Sequence, residues 1–184
     1  MIKNKYGMII LAIIFIAVCL LIFYYTKKKK DTNELNLNYI KEVDDVTKMN
    51  KTVVDTVFDV LSTKDIIHVI NLAKNNNKKV IARGERHSMG GQTIADDGYI
   101  IDTKYMNHIL DFNQQNKTVT VEPGVTWYSL IHFLNLYGYS PEILQSYASF
   151  SIGGSVSVNI HGITSDDVLA KSIIELELID SNAD

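Results

Sequence analysis

Cysteine is nearly missing from this chain, with Cys19 alone among 184 residues. A single thiol inside an apolar block rules out a disulfide framework and a cysteine-based metal site. Proline is also scarce, at two residues, and with 46% apolar side chains the composition is that of a chain that folds. The five histidines (His68, His87, His108, His132 and His161) lie 19 to 29 residues apart. That spacing matches neither HExxH nor a zinc finger, so no metal site is indicated. Basic charge is the last scarcity: outside residues 1–30 there are 12 basic against 21 acidic side chains, a net of −9. A part so acidic is a poor ligand for a phosphate backbone, which excludes nucleic acid as the expected partner. The length suits one domain of ordinary size.

What the N-terminus has in excess is apolarity. Met8–Tyr25 runs eighteen residues without a charge, about 27 Å as a helix, close to the thickness of a bilayer core. It lacks an A-x-A-like exit and is followed by Lys27–Lys30, so an uncleaved anchor is expected over residues 1–30 in preference to a signal peptide. Four lysines follow the span and two precede it, which places the C-terminal domain in the cytosol of a single-pass membrane protein. Residues 31–50 mix charges and amides without a clear period and read as a linker. The folded domain is then expected over 51–184.

Within it, β-branched and aromatic residues over Val53–Val60 predict a strand. Ser62 caps a helix to about Asn75 with Ile66, Ile67, Val69, Ile70 and Ala73 on its apolar face, and Lys79–Ala82 resumes strand character. This is a β-α-β opening. A strand at Tyr99–Asp102 and a hairpin of Ile109–Phe112 with Thr118–Val121 follow. Thr126 then caps a helix that carries Trp127, Leu130, Ile131, Phe133 and Leu134 and ends at Gly138. Alternation over Ile173–Asp180 predicts a last strand. The class is α+β.

Two stretches carry chemistry. After the second strand comes Arg83-Gly84-Glu85-Arg86-His87-Ser88-Met89-Gly90-Gly91. Glycines let successive N–H groups turn toward one point, and with arginine nearby such a nest cradles a pyrophosphate. On composition alone the loop serves equally well as a plain turn, and it is neither a Walker A nor a G-x-G-x-x-G loop. The second stretch, Gln145–Gly162, is rich in small residues around Gly153-Gly154. These admit either a flat ligand or a tightly packed backbone.

Taken in order, Arg-Gly-x-x-His-Ser-x-Gly-Gly, then Val-x-Pro-Gly-Val-Thr-Trp, then Ser-Ile-Gly-Gly-Ser-Val-Ser-Val-Asn-x-His-Gly resembles the vanillyl-alcohol-oxidase-like flavoproteins. The likeness is to the N-terminal half of an FAD-binding PCMH-type domain, nearest the sugar-alcohol, aldonolactone and decaprenylphosphoryl-ribose oxidases. It implies FAD as cofactor, with Arg83, Gly84, Glu85, Arg86, His87 and Ser88 around the pyrophosphate. Arg83 and Arg86 would offset the Glu85 carboxylate, or its side chain would point to solvent. His87 would occupy the place where such oxidases attach the flavin covalently, or would serve as a non-covalent contact of the cofactor. Gln145, Ser149, Ile152, Gly153, Gly154, Ser157 and Gly162 would line the ribityl chain and ring, with His161 near the ring. The resemblance further implies an FAD-dependent oxidoreductase acting on CH–OH donors, with a small alcohol or sugar-type substrate. Family members continue beyond the strand ending at Asp180, so the FAD domain is expected to be incomplete at its C-terminus. Its catalytic base is not named, and a separate chain is one source of the missing half. The alternative is a catalytically silent, anchored FAD-binding or scaffold fragment.

Overall fold

The computed structural model describes residues 36–38, 42–163 and 167–183. The apolar run Met8–Tyr25, and with it the expected anchor, lies outside the described residues. Among the described residues no helix is long and apolar enough to cross a membrane.

A four-stranded sheet organises the first half. Its strands are β1 (Asn36–Asn38), β4 (Thr56–Asp59), β5 (Val80–Arg83) and β6 (Tyr99–Asp102), in the order β1-β4-β6-β5. β4, β5 and β6 run parallel, with β1 antiparallel on one edge. Both central strands are buried along their whole length, as parallel strands covered on two faces must be. The expected β-α-β unit is present, although β6 inserts between its two strands. Its crossover is α1 (Thr63–Asn76), capped by Ser62, whose hydroxyl accepts from Asp65 N–H. The helix buries Val69 and Ala73 and ends at Asn77 in the left-handed region, φ 53°.

The expected strand at Val53–Val60 is split in two. β3 (Thr52–Val53) pairs with β2 (Glu42–Val43), and β4 starts only at Thr56. Between them Asp55 turns its carboxylate to Lys78 Nζ at 2.8 Å. The linker expected over 31–50 is corrected by the same pairings. β1, β2 and the turn at 44–50 are built into the domain, because their backbones find ladder partners in β4 and β3 that composition does not reveal.

The second half is organised by side chains. β7 (Ile109–Asn113) and β8 (Thr118–Val121) form the expected hairpin, with an irregularity between Ile109 and Asp111. α2 (Trp127–Asn135) is capped by Thr126. Its regular turns stop at Leu136, and Gly138, at φ 76°, completes the termination while Tyr139 N–H reaches back to Leu134 O. Val125, Trp127, Leu130, Leu134, Ile143, Ile160 and Leu169 make one core cluster, separate from the sheet cluster of Val43, Val54, Val57 and Ile100.

One open stretch takes a definite form, and one more expectation is corrected. The stretch around Gly153-Gly154 is a short helix, α3 (Ile152–Ser157), because Ser151 supplies an N-cap to Gly154 N–H. Ile173–Asp180 is no strand. Its alternation gives it two faces, but a strand exists only by pairing, and no described strand lies beside it. Ile174 and Leu178 are left 80% and 77% exposed.

Candidate functional site

The carboxyl ends of the parallel strands carry an aligned row of charge. Asp59, Asp102 and Arg83 stand in register across β4, β6 and β5. Arg83 Nε and Nη2 both reach Asp102 Oδ2 at 2.8 Å, and both residues are buried. Lys104 Nζ closes the row at 3.2 Å from Asp59. Burial alone would lower the Lys104 ammonium, but the hydrogen bond to Asp59 and the charge of Asp102 outweigh it, and its pKa is raised. The Arg83 carbonyl accepts from Thr103 N–H and Oγ1 at 3.0 and 3.1 Å. The loop after β5 thus leaves the sheet from a fixed point. Arg83 does not offset Glu85 as expected, since its guanidinium is spent on Asp102.

From that point the chain opens. Among the described residues, none of the main-chain N–H groups from Glu85 to Met89 donates a hydrogen bond within the chain. Arg86 sits in the left-handed region at φ 60°, which swings consecutive N–H groups toward one side. Such a run is chemically suited to a phosphate or diphosphate. Arg86 and Glu85 are both exposed.

The second glycine-rich stretch comes to this loop. His87 Nε2 lies 3.2 Å from Ser149 Oγ, and the His87 ring packs on Phe150 with centroids 4.4 Å apart. Phe150 in turn stacks on Tyr147. Gly84 presses so close to Ser151 that a Cβ there would stand 2.3 Å from Ser151 Oγ. The stretch is held from behind by Trp127 N–H to Phe150 O, Ile152 N–H to Val125 O and Gly153 N–H to Pro123 O. A buried bond from Trp127 Nε1 to Ser155 Oγ at 2.9 Å ties α2 to α3.

Of the expected site residues, His87 is therefore brought to Ser149 and Gly84 to Ser151, with Ile152, Gly153 and Gly154 just beyond in α3. No hydrogen bond or ring contact joins Gln145, Ser157, His161 or Gly162 to the Arg83–Ser88 loop. Gln145 Oε1 accepts from Tyr147 N–H and closes its own turn. Ser157 Oγ donates to Gly154 O inside α3. His161 is exposed, and Gly162 is buried with its N–H on Asp167 O. Ser88 is half-buried beside the open N–H groups.

Sequence reasoning missed the other wall. A cleft of about 250 Å³ is lined by Glu85, Arg86 and His87 on one side and Asp44, Asp45 and Val46 on the other. The last three fall in the segment read as a linker. The one local signal was Asp45-Val46-Thr47, a spacing that closes an Asx turn. Ser151 and Asp102 were missed as well, because their partners are distant in sequence. Among the described residues no group of three His, Cys, Asp or Glu side chains could hold a metal ion.

Comparison with known proteins agrees with this geometry. The chain matches the FAD binding domain family over residues 54–184. It is 26% identical over 132 residues to the D-arabinono-1,4-lactone oxidase of Candida glabrata, covering 69% of this chain and 25% of that protein. It is likewise 26% identical over 144 residues to the glycolate oxidase subunit GlcD of Bacillus subtilis, covering 76% of this chain and 31% of that protein. The chain thus spans between a quarter and a third of the length of these relatives. Cholesterol oxidase from B. sterolicum shares the fold with a TM-score of 0.60 at 21% identity, covering 71% of this chain and 25% of that one. With most of its length matched, the chain belongs to the PCMH-type FAD-binding family of flavoproteins, whose cofactor is FAD.

Proposed function

We propose that this chain is the flavin-binding part of an FAD-dependent oxidoreductase acting on CH–OH donors of the alcohol, sugar-alcohol or lactone type. The observation that carries the reading is the meeting of two separated motifs at His87 and Ser149 beside a run of unpaired N–H groups. The residues fit the cofactor. A diphosphate needs donors that are not already engaged, and Glu85–Met89, without partners among the described residues, supply them. A dinucleotide also needs close approach of backbone, and Gly84 against Ser151 leaves no room for a Cβ.

When bound, FAD supplies the two-electron acceptor for oxidation of a carbinol carbon. The chain's own residues do the rest of what this part can do. The Arg83–Asp102 pair fixes where the loop begins, and the open N–H groups with Arg86 bind the pyrophosphate. Ser149 and Phe150 hold the His87 imidazole in place for covalent attachment. The names of the relatives, a lactone oxidase and a glycolate oxidase subunit, support the substrate class.

The exposed apolar segment at Ile173–Asp180 favours completion of the domain by further polypeptide, in the same chain or a separate one. The alternative reading is a catalytically silent, anchored FAD-binding or scaffold fragment. The Met8–Tyr25 run supports a single-pass membrane anchor with the domain on the cytosolic side.

Titrating the full chain with FAD and following flavin fluorescence tests the cofactor. Saturable binding, with NAD and ATP failing to compete, is expected; a folded chain that takes up no FAD overturns the reading. Fractionation with membranes, lost on deletion of residues 1–30, tests the anchor. Flavin that survives denaturation, and is absent from His87→Ala, tests the attachment.

A further inference from the structure

The Ser88–Gln92 half of the glycine loop is shaped from outside the matched family region, by a buried carboxylate. Asp45 is 6% exposed. Its Oδ1 accepts from Thr47 N–H at 2.9 Å and from Thr47 Oγ1 at 2.6 Å. Its Oδ2 accepts from Asn50 Nδ2 at 2.7 Å and, across 46 residues of sequence, from Gly91 N–H at 3.0 Å. Asn50 Nδ2 also donates to Met89 O at 3.2 Å, and Asn50 N–H is held by Asp44 Oδ1 at 3.0 Å. Gly91 is in the left-handed region at φ 71°, with Asn50 against its face.

The chemistry of these contacts is selective. Asp45 and Asn50 together hold one N–H and one C=O of the turn after Ser88, whereas the N–H groups of Glu85–Met89 carry no bond to any of the described residues. One end of the open run is fixed by Arg83–Asp102 and the other by Asp45–Gly91. A nest binds an anion well only when its N–H groups are held converged before the ligand arrives, because otherwise binding must also order them. Asp45 further borders the cleft with Asp44 and Val46 opposite Glu85, Arg86 and His87.

We propose that Asp45, with Asn50, is a positioning residue of the cofactor site, pre-forming the Gly84–Gly91 loop for the FAD pyrophosphate. This inference rests on the proposed function. It adds that residues 44–50, which precede the family match, are a working wall of the site. Asp45 acts by accepting the Gly91 N–H, and both of its carboxylate oxygens are taken by donors of the chain.

Asp45→Asn tests this in the full chain. It keeps the size of the side chain but leaves one oxygen to serve donors on two sides. Hydrogen exchange in the absence of FAD is expected to quicken at Gly91 by about tenfold, the equivalent of one charge-assisted hydrogen bond, while Val57, Phe58 and Ile100 keep their protection. FAD binding is expected to weaken by about tenfold for the same reason. Asn50→Ala, which frees Met89 O and leaves the carboxylate, is expected to shift both readouts the same way by less. Unchanged exchange at Gly91, or equal FAD affinity in Asp45→Asn and the natural chain, overturns the assignment. A natural chain that takes up no FAD overturns the proposed function instead. The exchange measurement needs no cofactor, so the two failures are told apart.

Discussion

Of the two glycine-rich stretches, Gly84–Gly91 leaves the end of a parallel strand and stays open, with the N–H groups of Glu85–Met89 unpaired among the described residues, Arg86 and Gly91 at positive φ, and both ends pinned by buried carboxylates. Ile152–Ser157 closes into a helix whose N–H groups bond inward, and its Gly153 serves to let the chain lie against Pro123. The same residue type thus exposes backbone for a ligand in one place and admits neighbouring backbone in the other. What separates them is the residue just before. Ser151 offers a hydroxyl that starts a helix, whereas Arg83 is locked side-on into the sheet and can start none.

The largest way to break this contrast is to free the strand end. Asp102→Ala leaves the Arg83 guanidinium buried without its partner, and a loss of about 3–5 kcal/mol is expected in chemical denaturation. Removing both charges together, as Arg83→Met with Asp102→Leu, is expected to cost much less, since the uncompensated ion is the main penalty. Equal losses in the single and double variants would mean that packing, not charge, holds the loop's first end.

Next in size is the contact between the two stretches. Gly84→Ala drives a Cβ onto Ser151 Oγ, and Ser151 cannot turn away without releasing Gly154 N–H from the helix cap. A cost of about 1–3 kcal/mol is expected, of the kind seen when a packed site is overfilled. Ser151→Gly in the same chain is expected to recover part of it, and a double-mutant cycle measures the coupling. Gly153→Ala meets Pro123 Cβ at 2.7 Å and Pro123 O at 3.0 Å, and is expected to cost a similar amount without any such rescue. Strict additivity of Gly84→Ala and Ser151→Gly would show that the stretches do not touch in solution.

Acid distinguishes the pinned ends by charge. The Thr47 hydroxyl first, with the Gly91 N–H, holds the Asp45 carboxyl below its ordinary value, against the opposing effect of burial. Hydrogen bonding from Lys78 does the same for Asp55 at the start of β4. A carboxyl whose folded pKa is depressed contributes stability that is present above its unfolded value, near 3.9, and is lost as pH falls through the folded value. Stability is therefore expected to decline below about pH 4, with a shallower acid limb in Asp45→Asn and Asp55→Asn. An acid limb of the same slope in both variants would remove these two groups from the account.

Much of this was legible in the sequence, and the failures share a cause. The strands at 80–83 and 99–102, the hairpin and both longer helices follow from period and caps carried within a few residues, such as Ser62 and Thr126. The meeting of His87 with Ser149 was expected only through the resemblance, since 62 residues separate them. What local pattern could not give were roles set by distant partners: Arg83 taken by Asp102, Asp45 taking Gly91, and residues 36–38 pairing with β4. Ile173–Asp180 fails in the opposite sense, because its pattern asks for a partner strand that no described element provides.

The smallest expected effect concerns that segment, and sharpens the contrast between surfaces that are finished and one that is not. Ile174, Leu176 and Leu178 point away from the core, while Ile173 packs against the cluster around Trp127. For the chain alone, Leu178→Ser removes an apolar group that already meets water, so its stability is expected to stay within about 0.5 kcal/mol of the natural chain. Ile173→Ser withdraws a side chain from the core and is expected to cost more. If further polypeptide covers the segment, as proposed, its strand must offer apolar side chains toward Leu176 and basic ones toward Glu175 and Glu177. A second copy paired antiparallel about Leu176 would set Glu175 against Glu177, and like charges directly opposite destabilise such a pair. The chain is therefore expected to stay monomeric through this edge. Leu178→Ser costing more than about 2 kcal/mol in the isolated chain, well outside the range for an exposed site, would show that the segment is already buried in solution.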